Sequence, residues 1–307
     1  MPPNPDRFAP GLLEVTSLSS NRVDLVFDEP MQSSSAGLEN FTVVSLEGET
    51  LGLVAVTVGP DNSTLTLLTR PQKPQVYVLR GAAKDMAGNE ARFVRRFRGS
   101  IRLDTIAPQL LSASPRPFST GLRYNLVVSL SFSEAIDTSG FPKVLVLPAW
   151  LRGRLIQQWS PTLASVRFTL RDSLPAGTVV SFILPAGAKD FSGNRANQGA
   201  ALLLYSDSVA LIRPVRGFLR TQGRALANGY VILTSDSLRQ ATLSLADGSF
   251  LVRIDSAPWS LLAVADTDYD GRSDLICVRA PQVLSDSIVL ELSADSLSHS
   301  IDSVFGD

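Results

Sequence analysis

The chain has 307 residues and carries 28 Lys and Arg against 29 Asp and Glu, which gives a formal net charge of −1. This length is sufficient for two or three domains that each bury a core, and the balanced charge excludes a general electrostatic attraction to nucleic acid or to an anionic membrane. The single cysteine, Cys277, and the single histidine, His299, exclude a disulfide framework, a zinc cluster and a histidine-based catalytic triad in the folded part.

Apolar runs such as residues 144–147 and 261–265 are too short to span a bilayer. The first five residues, Met1-Pro2-Pro3-Asn4-Pro5, have neither the charged region nor the apolar region of a secretory signal. We therefore expect no signal sequence in this chain, which leaves two interpretations: a signal has been removed, or the protein is cytoplasmic.

The first two thirds of the chain contains one domain written twice. Residues 81–91 (GAAKDMAGNEA) reappear as residues 187–196 (GAKDFSGNRA). Phe27-Asp28-Glu29 returns as Phe132-Ser133-Glu134 at the same spacing. Internal repetition of this length is typical of an array of modules that extends from a surface and presents other parts, rather than of an enzyme.

Each copy opens with a matching phrase, residues 6–10 (DRFAP) in the first and residues 104–108 (DTIAP) in the second. One boundary therefore falls near residues 99–103, and another near residues 206–208. We predict domains at residues 1–101, 102–207 and 208–293, followed by a frayed, Ser- and Asp-rich polar tail at 294–307.

Short segments with a bulky apolar residue at every second position recur along the chain and are separated by Gly, Pro, Asn, Asp and Ser. This alternation is typical of strands with one face on a core, and no helical period persists for three turns. The clearest segments are residues 22–27, 63–68, 126–132 and 165–170. The sequence therefore predicts an all-β protein.

The third segment does not repeat the opening phrase but has its own β pattern. It contains an apolar strand at residues 230–233 and an Asp247-Gly248 pair before the alternating residues 249–252. Asp-Gly between alternating strands predicts a tight hairpin in which both turn residues have positive φ.

The paired phrases resemble the bacterial Ig-like domain family, whose modules occur in tandem on surface and secreted proteins. In that family each module has an Ala-Pro entry, a Phe-Ser/Asp-Glu strand end and an Asp-x-x-Gly-Asn turn. The matching residues are 9–10, 27–29 and 85–89 in the first copy, and 107–108, 132–134 and 190–194 in the second. The resemblance implies two Ig-like β-sandwiches without enzymatic activity of their own.

The third segment resembles the transthyretin-like, carboxypeptidase-regulatory-like β-sandwiches. The residues that match this pattern are Gly217, 227–233, 247–250 and 259–263, with Trp259 in place of the usual Tyr. The resemblance implies a scaffold or binding role. Together the two resemblances give three β-sandwich domains in series, two Ig-like and one transthyretin-like.

An acidic loop in the third segment is the sharpest chemical signal in the chain. Asp266, Asp268, Asp270 and Asp274 would occupy positions 1, 3, 5 and 9 of a calcium loop, with the Arg272 carbonyl at position 7. The position-12 Glu of an EF-hand is absent, and the loop resembles the hairpin calcium loops of integrin-type repeats. The sequence predicts one calcium site; the alternative is a solvated acidic turn without an ion.

Two further acidic pairs, Glu29 with Asp85 and Glu134 with Asp190, could meet at one end of each Ig-like module and hold calcium. The alternative, which we prefer, is that Asp85 and Asp190 cap their own Gly-Asn turns, where Asn tolerates left-handed φ.

Two other features have a structural and a functional interpretation. Residues 92–98 alternate arginine with apolar residues. This pattern favours a final strand whose charged side chains prevent it from pairing with another sheet, rather than a surface that binds nucleic acid. Trp150, Trp159 and Trp259 could form a carbohydrate platform, but so few tryptophans, spread along the chain, favour core or rim positions.

From these features we predict a non-enzymatic structural, adhesion or display module of a bacterial secreted or envelope-associated protein, with one module stiffened by calcium. It would be a monomeric rod or part of a larger assembly, located outside the cytoplasm. Its expected partners are other envelope or extracellular proteins, with glycans as an alternative class of ligand, and not nucleic acid. The rival interpretation is a carbohydrate- or protein-binding accessory region of a secreted hydrolase.

Overall fold

The computed structural model of the protein describes residues 6–59, 61–124, 126–207, 213–236 and 238–306. The prediction of an all-β chain of sandwiches is confirmed: the described residues form 22 strands in packed sheets, and their helices are one short α-helix, α1 (Ile301–Val304), and four 3-10 turns. The predicted start at Met1–Pro5 and the predicted junction at residue 208 lie outside the described residues. The domain limits themselves stay a prediction.

The first sandwich packs a four-stranded sheet, in the order β1-β2-β5-β4, against a three-stranded sheet, β3-β6-β7. Its strands are β1 (Leu12–Ser19), β2 (Arg22–Phe27), β3 (Phe41–Ser45), β4 (Leu53–Val58), β5 (Thr64–Thr69), β6 (Val76–Lys84) and β7 (Glu90–Arg98). Alternate residues of β2, namely Val23, Leu25 and Phe27, enter one shared core, as the period of two requires.

The second sandwich repeats this arrangement with sheets β8-β9-β12-β11 and β10-β13-β14. Its strands are β8 (Leu110–Ser114), β9 (Val127–Phe132), β10 (Leu145–Leu147), β11 (Leu155–Trp159), β12 (Ser165–Leu170), β13 (Val179–Leu184) and β14 (Ala200–Tyr205). The two sandwiches therefore have matching sheet orders, as expected for one domain written twice.

The third sandwich has one sheet in which β15 pairs with β16, β19 and β22, and another in the order β18-β17-β20-β21. Its strands are β15 (Arg213–Thr221), β16 (Arg224–Ala225), β17 (Tyr230–Thr234), β18 (Arg239–Leu243), β19 (Ser249–Ile254), β20 (Trp259–Ala265), β21 (Leu275–Gln282) and β22 (Ser287–Ala294). Two residue pairs between β21 and β22 join the sheets at one end.

The predicted Asp247-Gly248 hairpin is wrong. Strand β18 pairs with β17, whereas β19 pairs with β15 in the other sheet, so this turn crosses between the two layers of the sandwich. Of the two turn residues only Gly248 has a positive φ, +77°. Asp247 accepts a hydrogen bond from the Ser249 amide (2.9 Å), which makes it a local cap rather than half of a hairpin turn.

Strand β13 of the second sandwich is buried on both faces, and each of its six residues is buried. Val180, Phe182 and Leu184 point into the second sandwich's own core. Val179 and Ile183, on the opposite face, join cores that contain strands of the third sandwich. The sheet β10-β13-β14 is therefore a layer shared by two sandwiches.

The junction between the second and third sandwiches has the character of a domain core. Leu145, Leu147 and Ile183 cluster with Tyr230, Ile232 and other residues of the third sandwich. Ser181, which is fully buried, accepts a hydrogen bond from the Ala241 amide of β18 (2.8 Å), so an edge amide is satisfied across the junction. Because this contact is continuous and apolar, we expect the two sandwiches to move as one body.

The structure differs from the expectation of a frayed tail at residues 294–307. The C-terminal segment (residues 295–306) returns to the junction, where α1 and the residue after it bury Ile301, Val304 and Phe305. The Phe305 ring is fully buried and packs edge-on against Tyr230, with 5.8 Å between ring centroids. The segment therefore closes the junction between two sandwiches.

We predict that Phe305→Ala destabilises the joined second and third sandwiches by about 3 kcal/mol, because removing a buried phenyl ring leaves a cavity. Urea unfolding followed by tryptophan fluorescence measures this change. Phe8→Ala is the matched control, since Phe8 is 83% exposed and its removal should cost less than about 0.5 kcal/mol. Equal effects of the two substitutions would show that the C-terminal segment does not close the junction.

Candidate functional site

The acidic loop (residues 266–274) connects β20 to β21 at one end of the third sandwich. One carboxylate oxygen from each of Asp266, Asp268 and Asp274 lies within 4.8 Å of the others, as ligands of one cation would. The structure thus brings together three of the five residues that the sequence predicts for a calcium site.

Asp270 and Arg272 are not part of this cluster. Asp270 accepts a hydrogen bond from the Arg272 amide (2.7 Å), and the Arg272 side chain reaches Ser298 of the C-terminal segment. The role that the sequence predicts for the Arg272 carbonyl stays a prediction. Gly271 has a φ of +87°, which allows the chain to turn sharply between these residues.

The surroundings of Asp266 and Asp274 act on their pKa values in opposite directions. Burial raises the pKa of Asp266, although the amides of Gly271 and Asp270 donate to it. The Thr267 hydroxyl and amide both donate to Asp274 and lower its pKa. Asp274 is therefore held in its ionised form, whereas the ionised form of Asp266 would be stabilised by a neighbouring cation.

The acidic loop also holds the C-terminal segment in place. The Ile301 amide donates to the Gly271 carbonyl (3.0 Å), and the Ser273 amide donates to the His299 carbonyl (2.8 Å). Asp295 bonds Ser273 and the His299 ring, and although burial alone would raise the pKa of Asp295, these bonds lower it well below its usual range. The loop is thereby connected to the Phe305 anchor at the junction.

Each of the first two sandwiches has its own group of three carboxylates, which we call its acidic end. The first acidic end consists of Asp6, Glu29 and Asp85, and the second of Asp104, Glu134 and Asp190; in each, one oxygen per residue lies within 4.8 Å of the others. The predicted pairs do meet, and the structure adds Asp6 and Asp104. The signal for these two was present, because both begin the repeated opening phrase.

The preferred interpretation of Asp85 and Asp190 as turn caps agrees with their hydrogen bonds. Asp85 accepts from the Asn89 amide (2.8 Å) and side chain (2.7 Å), and Asp190 accepts from Asn194 in the same way (2.9 and 2.7 Å). Burial alone would raise the pKa of Asp85, but these bonds lower it. The left-handed φ falls on Gly88 and Gly193 rather than on the asparagines.

The second acidic end packs against the side of the first sandwich around a crevice of about 140 Å³. The Asn21 side chain donates to the Ser192 hydroxyl across it (2.9 Å). Burial, reinforced by the negative charges of Asp190 and Asp104, raises the pKa of Glu134 to about 7, while the positive charge of Arg22 on the facing sandwich opposes the shift. Glu134 is thus a titratable group at an interface between two modules.

The other sequence candidates lie apart from these clusters. Trp259 is fully buried in the third core and donates to Asp255 (3.0 Å), so its ring face cannot form a carbohydrate platform. Trp150 lies under the Arg154 guanidinium, and Trp159 packs edge-on against Phe141. Strand β7 lies at the edge of its sheet and its arginines are exposed, which agrees with the interpretation that these charges prevent pairing with another sheet.

Residues 104–206 match the sequence profile described as "Bacterial Ig-like domain". The matched residues contain the second sandwich and its acidic end. No curated protein matches the chain. Within the described residues, none of the helices is long and apolar enough to cross a membrane.

Several solved structures are similar to parts of the chain at low identity. An N-terminal part of the bacterial S-layer protein SbsC has 14% identity and a TM-score of 0.29, and the match covers 64% of this chain and 44% of that one. CopC from Methylosinus trichosporium OB3b has 14% identity and a TM-score of 0.25 over 30% of this chain and 93% of that one. Native alpha-2-macroglobulin from Escherichia coli, spanning domains MG0-NIE-MG1, has 16% identity and a TM-score of 0.27, with 84% and 94% covered. The chain thus spans less than half of the SbsC fragment.

We predict that the stability of the junction around Glu134 falls as pH rises. The pKa of Glu134 is raised in the folded protein from 4.5 to about 7, so its contribution is fully present below about pH 4.5 and is lost as pH passes about 7. Unfolding midpoints measured between about pH 5 and about pH 8 should therefore decline more in the wild type than in Glu134→Gln.

Glu39→Gln is the control, because Glu39 is exposed and lies outside the acidic ends. This control should keep the pH dependence of the wild type. A wild-type profile identical to that of Glu134→Gln would contradict the assignment.

Proposed function

We propose that the protein is a non-enzymatic structural module of a bacterial surface or secreted protein, which holds or presents other parts of an extracytoplasmic assembly. The observation that carries this proposal is the sheet β10-β13-β14, which is covered on one side by the second sandwich and on the other by the third. A shared sheet transmits force and orientation between modules, which a flexible linker does not. The Ig-like match of residues 104–206 supports the same class of role.

We further propose that calcium at the acidic loop stiffens this shared unit. Three carboxylates converge there, and like charges at such distances repel unless a cation neutralises them. The loop bonds the C-terminal segment, whose Phe305 is buried at the junction. A cation held by Asp266, Asp268 and Asp274 would therefore act on the junction through this segment as well as on the third sandwich.

Calcium should raise the unfolding temperature of the wild type by about 1 to 6 °C. This range follows from a dissociation constant of about 10⁻⁴ to 10⁻³ M, about 1 mM calcium and a unit of about 200 residues, for which the gain is roughly 0.4 to 1.4 kcal/mol. Differential scanning calorimetry with calcium and then with excess EGTA measures the shift, and Asp268→Asn should abolish it.

Asp286→Asn is the matched control for this experiment, since Asp286 is an exposed carboxylate of the same sandwich outside the acidic loop. Its calcium response should equal that of the wild type. A shift that persists in Asp268→Asn would assign the ion to another site, and no shift in the wild type would leave the acidic loop as a solvated turn. In the latter case the structural role would still rest on the shared sheet.

A further inference from the structure

The two copies of the Ig-like module differ in what covers their acidic ends. The second acidic end lies against the first sandwich, and Phe191 at its tip lines the crevice between them. The first acidic end has the same three carboxylates and the same turn, but its tip residue, Met86, is 67% exposed. Phe8, in the opening phrase of the first copy, is 83% exposed.

The surface that receives the second acidic end is the outer face of the first sandwich's four-stranded sheet. Thr66 and Leu68 of β5 point away from the core, whose residues from this strand are Leu65 and Leu67. Both outward residues are nonetheless only 7% exposed, and both line the crevice. The Thr66 hydroxyl also donates to Asp24 of the neighbouring strand (2.8 Å), so the second acidic end and the sheet's own side chains together cover this face.

The receiving face also carries a cation that suits a group of carboxylates. Arg22 begins β2 on this face and donates two hydrogen bonds to Asp24 of the same strand (2.9 Å each), and its positive charge also acts on Glu134 and Asp104 of the second acidic end. The Asn21–Ser192 hydrogen bond fixes the contact beside it. The interface therefore pairs an acidic tip that bears one apolar side chain with a polar sheet face that bears one arginine.

The second sandwich has the corresponding sheet face, and the described residues leave it accessible. Strand β9 of this sheet corresponds to β2, and β12 corresponds to β5 in the sheet order. Arg167 of β12 pairs with Ser129 of β9, just as Thr66 pairs with Asp24 in the first sandwich. Arg167 and its other neighbour, Gln158, are exposed.

We propose that the first acidic end binds the outer face of β9 and β12 in a second copy of this chain, as the second acidic end binds the outer face of β2 and β5 within the chain. The two surfaces are different patches, so the contact is heterologous and leaves one patch of each kind open at the ends of an assembly. Such an assembly grows head to tail and does not stop at a dimer. This inference goes beyond the proposed structural role and does not depend on calcium.

Sedimentation velocity of the full chain over a wide range of concentration tests the proposal. The mass of the wild type should rise continuously past two chains. Met86→Asp, which blocks the first acidic end, and Arg167→Glu, which blocks the receiving face, should each weaken self-association by at least about tenfold. Both side chains are exposed, so both variants should keep the wild-type unfolding temperature.

Mixing the two variants gives the decisive measurement. Met86→Asp keeps an intact receiving face and Arg167→Glu keeps an intact acidic end, so the mixture should form a dimer of one chain of each kind and grow no further. Leu46→Asp is the matched control, because Leu46 is also exposed but follows β3 at the opposite end of the first sandwich, and it should associate like the wild type.

Three results would overturn the proposal. A wild type that stays monomeric at the highest concentration would show that a second copy is not the occupant of this end. A wild type that stops at two chains would exclude the head-to-tail arrangement. Variants that do not complement each other on mixing would show that Met86 and Arg167 do not lie on opposite sides of one contact.

Discussion

The burial of one sheet on both faces is the constraint on which the rest of the structure depends. A strand with water on one side alternates apolar and polar residues. Strand β13 (Val179–Leu184) instead packs against a core on each face, and all of its residues are buried. The third sandwich supplies the second core, and the C-terminal segment closes its margin with Phe305. Removal of the third sandwich or of Phe305 would expose the apolar outer face of the sheet β10-β13-β14 to water.

The first two sandwiches have the same sheet order but differ in the neighbours that cover them. Tyr77 and Leu79 of β6 face the first core, as Phe182 and Leu184 of β13 face the second. The outward position between them is aliphatic in both copies but differs in burial: Val78 of β6 is half-buried, whereas Ile183 of β13 is fully buried against the third sandwich, and the exposed Arg80 follows in the first copy only. The inward residues thus specify the module, and the outward residues specify its neighbour.

Much of this could be predicted from sequence because the signals were local. Alternation located the strands, and the spaced aspartates predicted the convergence of Asp266, Asp268 and Asp274. The predictions that were wrong depended on residues far away in the sequence. Asp247-Gly248 is a residue pair typical of hairpins, but β19 pairs with β15 rather than with the preceding strand, so the turn leads to the other sheet. The tail at 294–307 was predicted to be frayed because its few apolar residues have a packing partner only when the fold places them beside Tyr230 and the second sandwich. The continuous apolar run at 144–147 was the unused signal for the shared sheet.

The separation in sequence between β13 and Phe305, which cover the same junction, has a consequence for biosynthesis. A polypeptide emerges from the ribosome or from a secretion channel in one direction, and its domains generally fold as units in that order. The first sandwich can complete its core when residue 98 has emerged, whereas the layer formed by β13 stays partly uncovered until residue 305 follows. The second and third sandwiches therefore reach their buried state only after β13 and Phe305 have both been synthesised, and an intermediate that has β13 but not yet Phe305 would expose an apolar surface to chaperones and proteases.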